Sequence, residues 1–217
     1  MVRALVTAGP TREPIDPVRF ISNASSGRQA AALASEALAR SWRVDVVCGP
    51  LEVELPPGAA RHPVSTAAEM LEACLRLHPS ADVVIGAAAV SDFRPARFSP
   101  AKRPRGDGAW MLELVPTPDI LAALGPLKGD RIHAGFALES EDLVENARRK
   151  LREKNLDLIV ANPVEAVGSS ESRYHLISAD GSVRELGRLT KLELARALVD
   201  EIARLLGYRH RDVPPVR

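Results

Sequence analysis

Cysteine is scarce in this 217-residue chain: Cys48 and Cys74 are the only two, and no metal-ligand spacing surrounds them. That excludes a disulfide scaffold or a zinc-finger arrangement. It fits a reduced, cytoplasmic setting with both thiols acting as small buried hydrophobes. Net charge is scarce too. Lys and Arg number 29 against 28 Asp and Glu, leaving +1 at pH 7, too weak a field to point to nucleic acid. The basic runs Arg148-Arg149-Lys150-Leu151-Arg152 and Arg209-His210-Arg211 are short and read as solvated faces. No apolar run reaches the ~18 residues needed to cross a bilayer, so no membrane partner is expected. The chain enters a strand at once, and no signal peptide is expected. The glycine fingerprint G-x-G-x-x-G is missing, and the second strand ends in Cys48-Gly49-Pro50 rather than in a ribose-binding acid, which counts against NAD(P). A Walker A sequence is missing as well. The five histidines, His62, His78, His133, His175 and His210, form no ligand or triad pattern and read as structural or surface residues.

What is present is an alternation of strand-like and helix-like runs. Val2–Thr7, Val44–Val47, Val83–Ala87, Trp110–Val115, Ile132–Phe136 and Leu158–Val160 read as strands. Arg28–Arg40, Ala67–Leu77, Pro118–Leu124 and Ser140–Lys154 read as helices between them. The order predicts an α/β fold, a Rossmann-like, doubly wound, mostly parallel sheet interrupted by a long irregular loop from Ala88 to Gly108. Val83–Ile85 is apolar throughout and Val44–Val47 is apolar apart from Asp45, as strands covered on both faces should largely be. Tyr174–Ser178 and Val183–Leu186 form a hairpin across Ala179-Asp180-Gly181-Ser182. A last helix, Lys191–Leu206, carries Leu194, Leu198, Ile202 and Leu205 on one face and should pack on the sheet. One domain over 1–207 is expected, followed by a fraying basic and proline-containing tail over 208–217.

Three segments carry chemistry. Ser22-Asn23-Ala24-Ser25-Ser26-Gly27 puts a polar loop before the first helix, with Ser25 or Ser26 as N-cap. Free N–H groups and the helix dipole then face the loop, a standing site for phosphate or carboxylate. An ordinary capped helix after an irregular loop accounts for the same residues. Gly86-Ala87-Ala88-Ala89, at the carboxyl end of the third strand, lets a flat ligand approach the backbone. Asp92 beyond it is placed for a ribose hydroxyl, a base amine or a metal-bound water, or simply closes a turn. Lys102, within Pro100-Ala101-Lys102-Arg103-Pro104-Arg105, suits a phosphate contact, and equally suits a solvated charge run.

Taken together, these segments resemble phosphopantothenate–cysteine ligase, the ligase domain of a bifunctional flavoprotein of coenzyme A synthesis. The resemblance runs in order from Val6 to about Val164. It includes Thr7-Ala8-Gly9, Asp16-Pro17-Val18-Arg19-Phe20-Ile21-Ser22-Asn23, Ser25-Ser26-Gly27, Ala87-Ala88-Ala89-Val90 with Asp92, and Pro118-Asp119-Ile120. Gly135-Phe136-Ala137-Leu138-Glu139 and Lys154-Asn155-Leu156-Asp157-Leu158-Ile159-Val160-Ala161-Asn162 continue it. The resemblance implies that CTP (or ATP), with magnesium, converts 4′-phosphopantothenate into an acyl nucleotide with release of pyrophosphate. L-cysteine then takes the acyl group as an amide. It implies a homodimer, a fused or separate phosphopantothenoylcysteine decarboxylase, and no flavin in this chain; a free-standing ligase and an excised domain both fit. It further implies Asn23 and Lys102 as catalytic residues and Arg19 with Asn23 for substrate. For the nucleotide it implies Gly9, Ser25, Ser26, Gly27, Gly86, Ala87, Ala88, Asp92, Lys102, Pro118, Asp119, Ile120, Leu121, Phe136, Lys150 and Lys154. The metal ligands stay unassigned. One departure is visible: Arg103-Pro104-Arg105 stands where the family carries x-K-K. Outside this class, a non-catalytic nucleotide- or flavin-binding subunit is the alternative.

Overall fold

Strands whose two faces are both covered must be apolar on both, and Arg3–Ala8 is buried at every position after its first residue. The computed structural model describes residues 1–106, 108–166 and 168–209. In chain order the strands are β1 (Arg3–Ala8), β2 (Arg12–Pro14), β3 (Phe20–Ser22), β4 (Arg43–Cys48), β5 (Ala60–Pro63) and β6 (Val83–Gly86). They continue with β7 (Phe93–Pro95), β8 (Leu114–Pro116), β9 (Ile132–Glu139), β10 (Leu158–Pro163), β11 (Glu171–Ser178) and β12 (Val183–Thr190). The helices are α1 (Arg28–Ala39), α2 (Ala67–Leu77), α3 (Ile120–Leu124), α4 (Leu143–Glu153) and α5 (Lys191–Arg209).

Among the described residues, eight strands form one sheet in the order β12-β11-β10-β9-β6-β1-β4-β5. Every pair from β10 to β5 is parallel, and β11 and β12 add an antiparallel hairpin at one edge. The parallel strands therefore follow the doubly wound order: the chain winds from β1 out to β5, then returns to the other side of β1 through β6, β9 and β10. Alternate residues of β1 feed opposite layers. Ala4, Val6 and Ala8 join a core with Leu33 and Ala37 of α1 and Leu194, Leu198 and Ile202 of α5. Leu5 joins Met70 and Cys74 of α2 and Ile120 and Leu124 of α3 on the other face. Glu36 of α1 holds Arg40 at 2.9 Å and Arg196 of α5 at 3.5 Å, so an ion-pair bridge fixes α5 beside α1.

Most expected elements are found, with shifted ends; α2 matches residue for residue. The corrections have local causes. The stretch 88–108 is not wholly irregular, since Phe93–Pro95 pairs antiparallel with Leu114–Pro116, and the strand expected over Trp110–Val115 is confined to that short partner. β5 is an edge strand with mostly exposed residues and carries no apolar pattern to read. The tail expected from Tyr208 begins inside α5, and residues 210–217 lie outside the described residues.

The far end of the sheet from the loops holds a buried pair of imidazoles, His78 and His133, with Nε2 atoms 3.1 Å apart. Burial, then the neighbouring charges of His78 and Lys128, push His133 down to about 4. An imidazole kept neutral in the fold leaves stability intact above the unfolded value of about 6.5. Stability is lost as pH falls from there toward 4, because only the unfolded chain takes up the proton. We expect urea unfolding to lose on the order of 3 kcal/mol through His133 over that window. A His133→Phe variant should show a correspondingly flatter acid limb. Parallel limbs for the two proteins would show that His133 is not the group responsible.

Candidate functional site

Where the winding direction reverses, between β1 and β6, the loops leaving the two strands diverge and leave a crevice at their carboxyl ends. The backbone stitches the two loops together below it. Ala89 N–H donates to Gly9 O at 2.9 Å, Ala88 N–H to Thr7 Oγ1 at 3.2 Å, and Ser91 N–H to Thr11 Oγ1 at 3.0 Å. Asn23 ties the upper edge, its Nδ2 donating to Val90 O at 2.9 Å and, more weakly, to Ala89 O at 3.4 Å. The result is a cleft of about 650 Å³.

At one end of the cleft lies the start of α1. The expected Ser25 or Ser26 cap is corrected here: the cap is Gly27, with φ of 81° and no side-chain hydrogen bond to the helix. The chain must turn through the left-handed region to enter α1, and a Cβ on Gly27 would stand 2.4 Å from Leu51 Cδ2. Ser25 and Ser26 line the cleft instead, and among the described residues no side-chain hydrogen bond caps the positive end of α1.

The other end is built on close packing and neutralised charge. A Cβ on Gly86 would lie 2.5 Å from Leu121 Cδ1, so the glycine lets α3 close against the strand end. Asp119 caps α3 by accepting from Ala122 N–H at 3.0 Å, and its other oxygen holds Lys154 Nζ at 2.8 Å. Burial works to raise the Asp119 carboxyl, but Lys154 and the helix N–H donors outweigh it and hold it below the usual range. Lys150 is likewise engaged, 2.6 Å from Glu139 Oε1. The two lysines do share a face, as their spacing predicts, yet each already faces a carboxylate.

Of the residues expected at the site, fifteen line this one cleft: Asn23, Ser25, Ser26, Gly27, Gly86, Ala87, Ala88, Asp92, Pro118, Asp119, Ile120, Leu121, Phe136, Lys150 and Lys154. Gly9, Arg19 and Lys102 are not among its lining residues. Gly9, with φ of 69°, packs beneath it, where a Cβ would meet Leu51 Cδ2 at 2.7 Å. Arg19 is held by Asp16 at 2.6 Å and reaches the carbonyl of Arg103 at 3.2 Å. Burial raises the Asp16 carboxyl, but N–H donors from Val18, Arg19 and Arg103, with the Arg19 charge, bring it below the ordinary value.

Lys102 is exposed on the same loop, beside this anchorage. Protein contacts brace part of the basic loop. Arg103 lies 4.8 Å and Arg19 5.5 Å from the Trp110 ring centre, and Ser99 N–H donates to Ile15 O at 2.9 Å. Sequence reasoning also missed lining residues, notably Thr7, Arg28, Asn162, Tyr174 and Lys191. Arg28 follows Gly27 and was within reach of a local reading; Tyr174 and Lys191 arrive from β11 and α5, which only the three-dimensional winding brings here.

The family model described as the DNA/pantothenate metabolism flavoprotein C-terminal domain matches residues 1–206. The coenzyme A biosynthesis bifunctional protein CoaBC of Bacillus subtilis (strain 168) is 44% identical over 206 residues, covering 93% of this chain and 51% of that protein. The chain thus spans about half the length of the curated relatives it matches. The crystal structure of the C-terminal domain of a CoaBC protein superposes with a TM-score of 0.83 at 39% identity, covering 95% of this chain and 96% of that one. The Cab2 mutant H337A, solved with phosphopantothenate-cysteine, shares the fold with a TM-score of 0.76 at 18% identity, covering 96% of this chain and 89% of that one.

Proposed function

This chain belongs to the DNA/pantothenate metabolism flavoprotein C-terminal domain family, and from that premise we propose that it is a ligase of coenzyme A synthesis, joining 4′-phosphopantothenate to L-cysteine at the expense of CTP. The observation that carries the proposal is the gathering of fifteen expected residues around one cleft at the switch point of the sheet. In the first half-reaction the phosphopantothenate carboxylate attacks the α-phosphorus of CTP, forming the acyl cytidylate and expelling pyrophosphate. In the second, the cysteine amine attacks the acyl carbon, forming the amide and expelling CMP.

The residues divide the work by their placement. The part of the cleft lined by Gly86, Leu121 and Phe136 takes the base, and Asp92 the ribose. Asn23, at the upper edge, turns its amide from the Val90 carbonyl to the acyl oxygen as negative charge develops there. Lys102 offsets charge on the transferring phosphoryl group once its loop closes. Magnesium, when bound, neutralises phosphate charge. The donor set suits an ion carried mainly by phosphates, since no group of three or more His, Cys, Asp or Glu gathers among the described residues. Asp92, exposed and without a side-chain partner among the described residues, is free to take the ribose, whereas Asp119 is taken by Lys154.

A homodimer in the cytoplasm belongs to the same proposal. It is supported by large apolar side chains left exposed on the small hairpins and the adjoining loop, among them Phe20, Phe93, Phe98 and Leu114. The coverage of about half of a bifunctional relative supports a decarboxylase half, fused or separate, as the partner that consumes the product. The test is to incubate the chain with phosphopantothenate, cysteine and both nucleotides at equal concentration. We expect CMP and pyrophosphate to appear in step with the amide, with kcat/KM for CTP at least ~10-fold above that for ATP, because close packing of Leu121 on Gly86 leaves less room for the larger base. A higher value for ATP would overturn the nucleotide assignment. A folded chain that binds CTP and forms no amide would favour a non-catalytic subunit.

A further inference from the structure

Thr11 is fully buried and lies behind the cleft rather than in its lining, yet its hydrogen bonds lead to the site from two sides. Its carbonyl accepts from Ser22 Oγ at 2.7 Å, and Ser22 directly precedes Asn23. Its own Oγ1 accepts from Ser91 N–H at 3.0 Å. Ser91 is buried too, and it stands between Val90, whose carbonyl holds the Asn23 amide, and Asp92. One threonine thus joins the β2–β3 hairpin, which leads into Asn23, to the loop after β6, which presents Asp92.

Both segments have further anchors that do not involve the Thr11 side chain. The hairpin is held to the start of α2: Arg12 N–H donates to Ser65 O at 2.7 Å, and Ala67 N–H to the buried Glu13 Oε1 at 2.8 Å. The loop after β6 is held to the segment before α3, where Thr117 N–H donates to Asp92 O at 2.9 Å and Thr117 Oγ1 donates to Ser91 O. Loss of the Thr11 hydroxyl therefore frees neither segment from the body of the protein. It removes the buried bond that sets their spacing beside Asn23. Asn23 and Asp92 both line the cleft. In the ligase reading they hold two parts of one intermediate, the acyl oxygen and the ribose, so a small error in their spacing misplaces one against the other.

We propose that Thr11 is a positioning residue for amide formation, acting through Asn23 by fixing that side chain's distance from the Asp92 loop. The proposal rests on the ligase reading above. Thr11→Val keeps the shape and removes the acceptor, Thr11→Ser keeps a hydroxyl, and Thr11→Cys leaves a weaker acceptor. Each is made in the wild-type chain and in an Asn23→Ala background. Both half-reactions are then followed by quenched flow, per folded molecule, with thermal melts alongside. Thr11→Val should lower amide formation at saturating cysteine at least ~10-fold, with acyl-nucleotide formation and the KM for cysteine changed by less than ~3-fold. Thr11→Ser should restore most of the rate, and Thr11→Cys should fall between. In the Asn23→Ala background the further loss from Thr11→Val should stay under ~2-fold, because a residue that acts through another has nothing left to act on.

Thr11→Val also leaves the Ser91 N–H unpaired in a buried place, so its melting temperature should fall. That fall alone, with amide formation per folded molecule near wild type, would overturn the proposal. Losses that add in full in the Asn23→Ala background would overturn it as well. If Thr11→Val does not fold, Thr11→Cys decides, and a wild-type amide rate from that variant counts against the proposal. A wild-type chain that forms no acyl nucleotide overturns the ligase reading itself, and the role of Thr11 with it.

Discussion

Replacing Asn23 by aspartate should leave acyl-nucleotide formation in place and lower amide formation with cysteine by at least ~10²-fold, the scale of losing one oxyanion donor. Asn23 is exposed, and among the described residues its side chain's hydrogen bonds run from Nδ2 to the carbonyls of Val90 and Ala89. In the proposed reaction the same N–H groups that tie the cleft edge donate to the acyl oxygen. A carboxylate at this position has no donor to give and adds negative charge beside two carbonyl oxygens. The second half-reaction, in which the acyl oxygen gains charge, then suffers most. The fold should hold, because a single exposed side chain contributes little to stability. Quenched-flow chromatography of the bound intermediate reads both halves separately. An equal fall in both would make Asn23 a positioning residue.

The second large effect is expected at Lys102. Lys102→Gln should abolish acyl-nucleotide formation, since a neutral amide cannot offset the charge on the transferring phosphoryl group. The lysine is exposed, lies outside the cleft lining, and has no ion-pair partner among the described residues, so the melting temperature should not move. Its distance from the lining makes the prediction sharper. Lys102 can act only if its loop closes, and the loop is anchored at Asp16 and Trp110 rather than free along its length. Pyrophosphate release measured beside thermal melting tests both parts. Near-normal release from a stably folded variant would leave Lys102 as part of a solvated charge run.

The fold was legible where burial leaves a mark on composition. β1 and β6 are covered on both faces and read as apolar runs, β4 does so apart from the buried Asp45, and α2 begins at a Thr66–Glu69 capping box and matches its expected span. β5 left no mark because its residues are mostly exposed, and β2, β3 and β7 are three residues each. The cleft was legible along its loops, where small and polar residues cluster beside strand ends. Serine was favoured as the α1 cap by its hydroxyl, but Leu51, packed against the turn, leaves room only for Gly27. Glu139 and Asp119 as partners of Lys150 and Lys154 were equally hidden, because β9 and the α3 turn meet α4 only through the winding of the sheet.

The central claim is that this cleft activates a carboxylate by nucleotidyl transfer, and pyrophosphate exchange measures that step alone. With the purified chain, magnesium, CTP and labelled pyrophosphate, label should enter CTP only when phosphopantothenate is present, and without cysteine or any redox cofactor. No phosphopantothenate-dependent exchange from a folded chain that binds CTP would contradict the account.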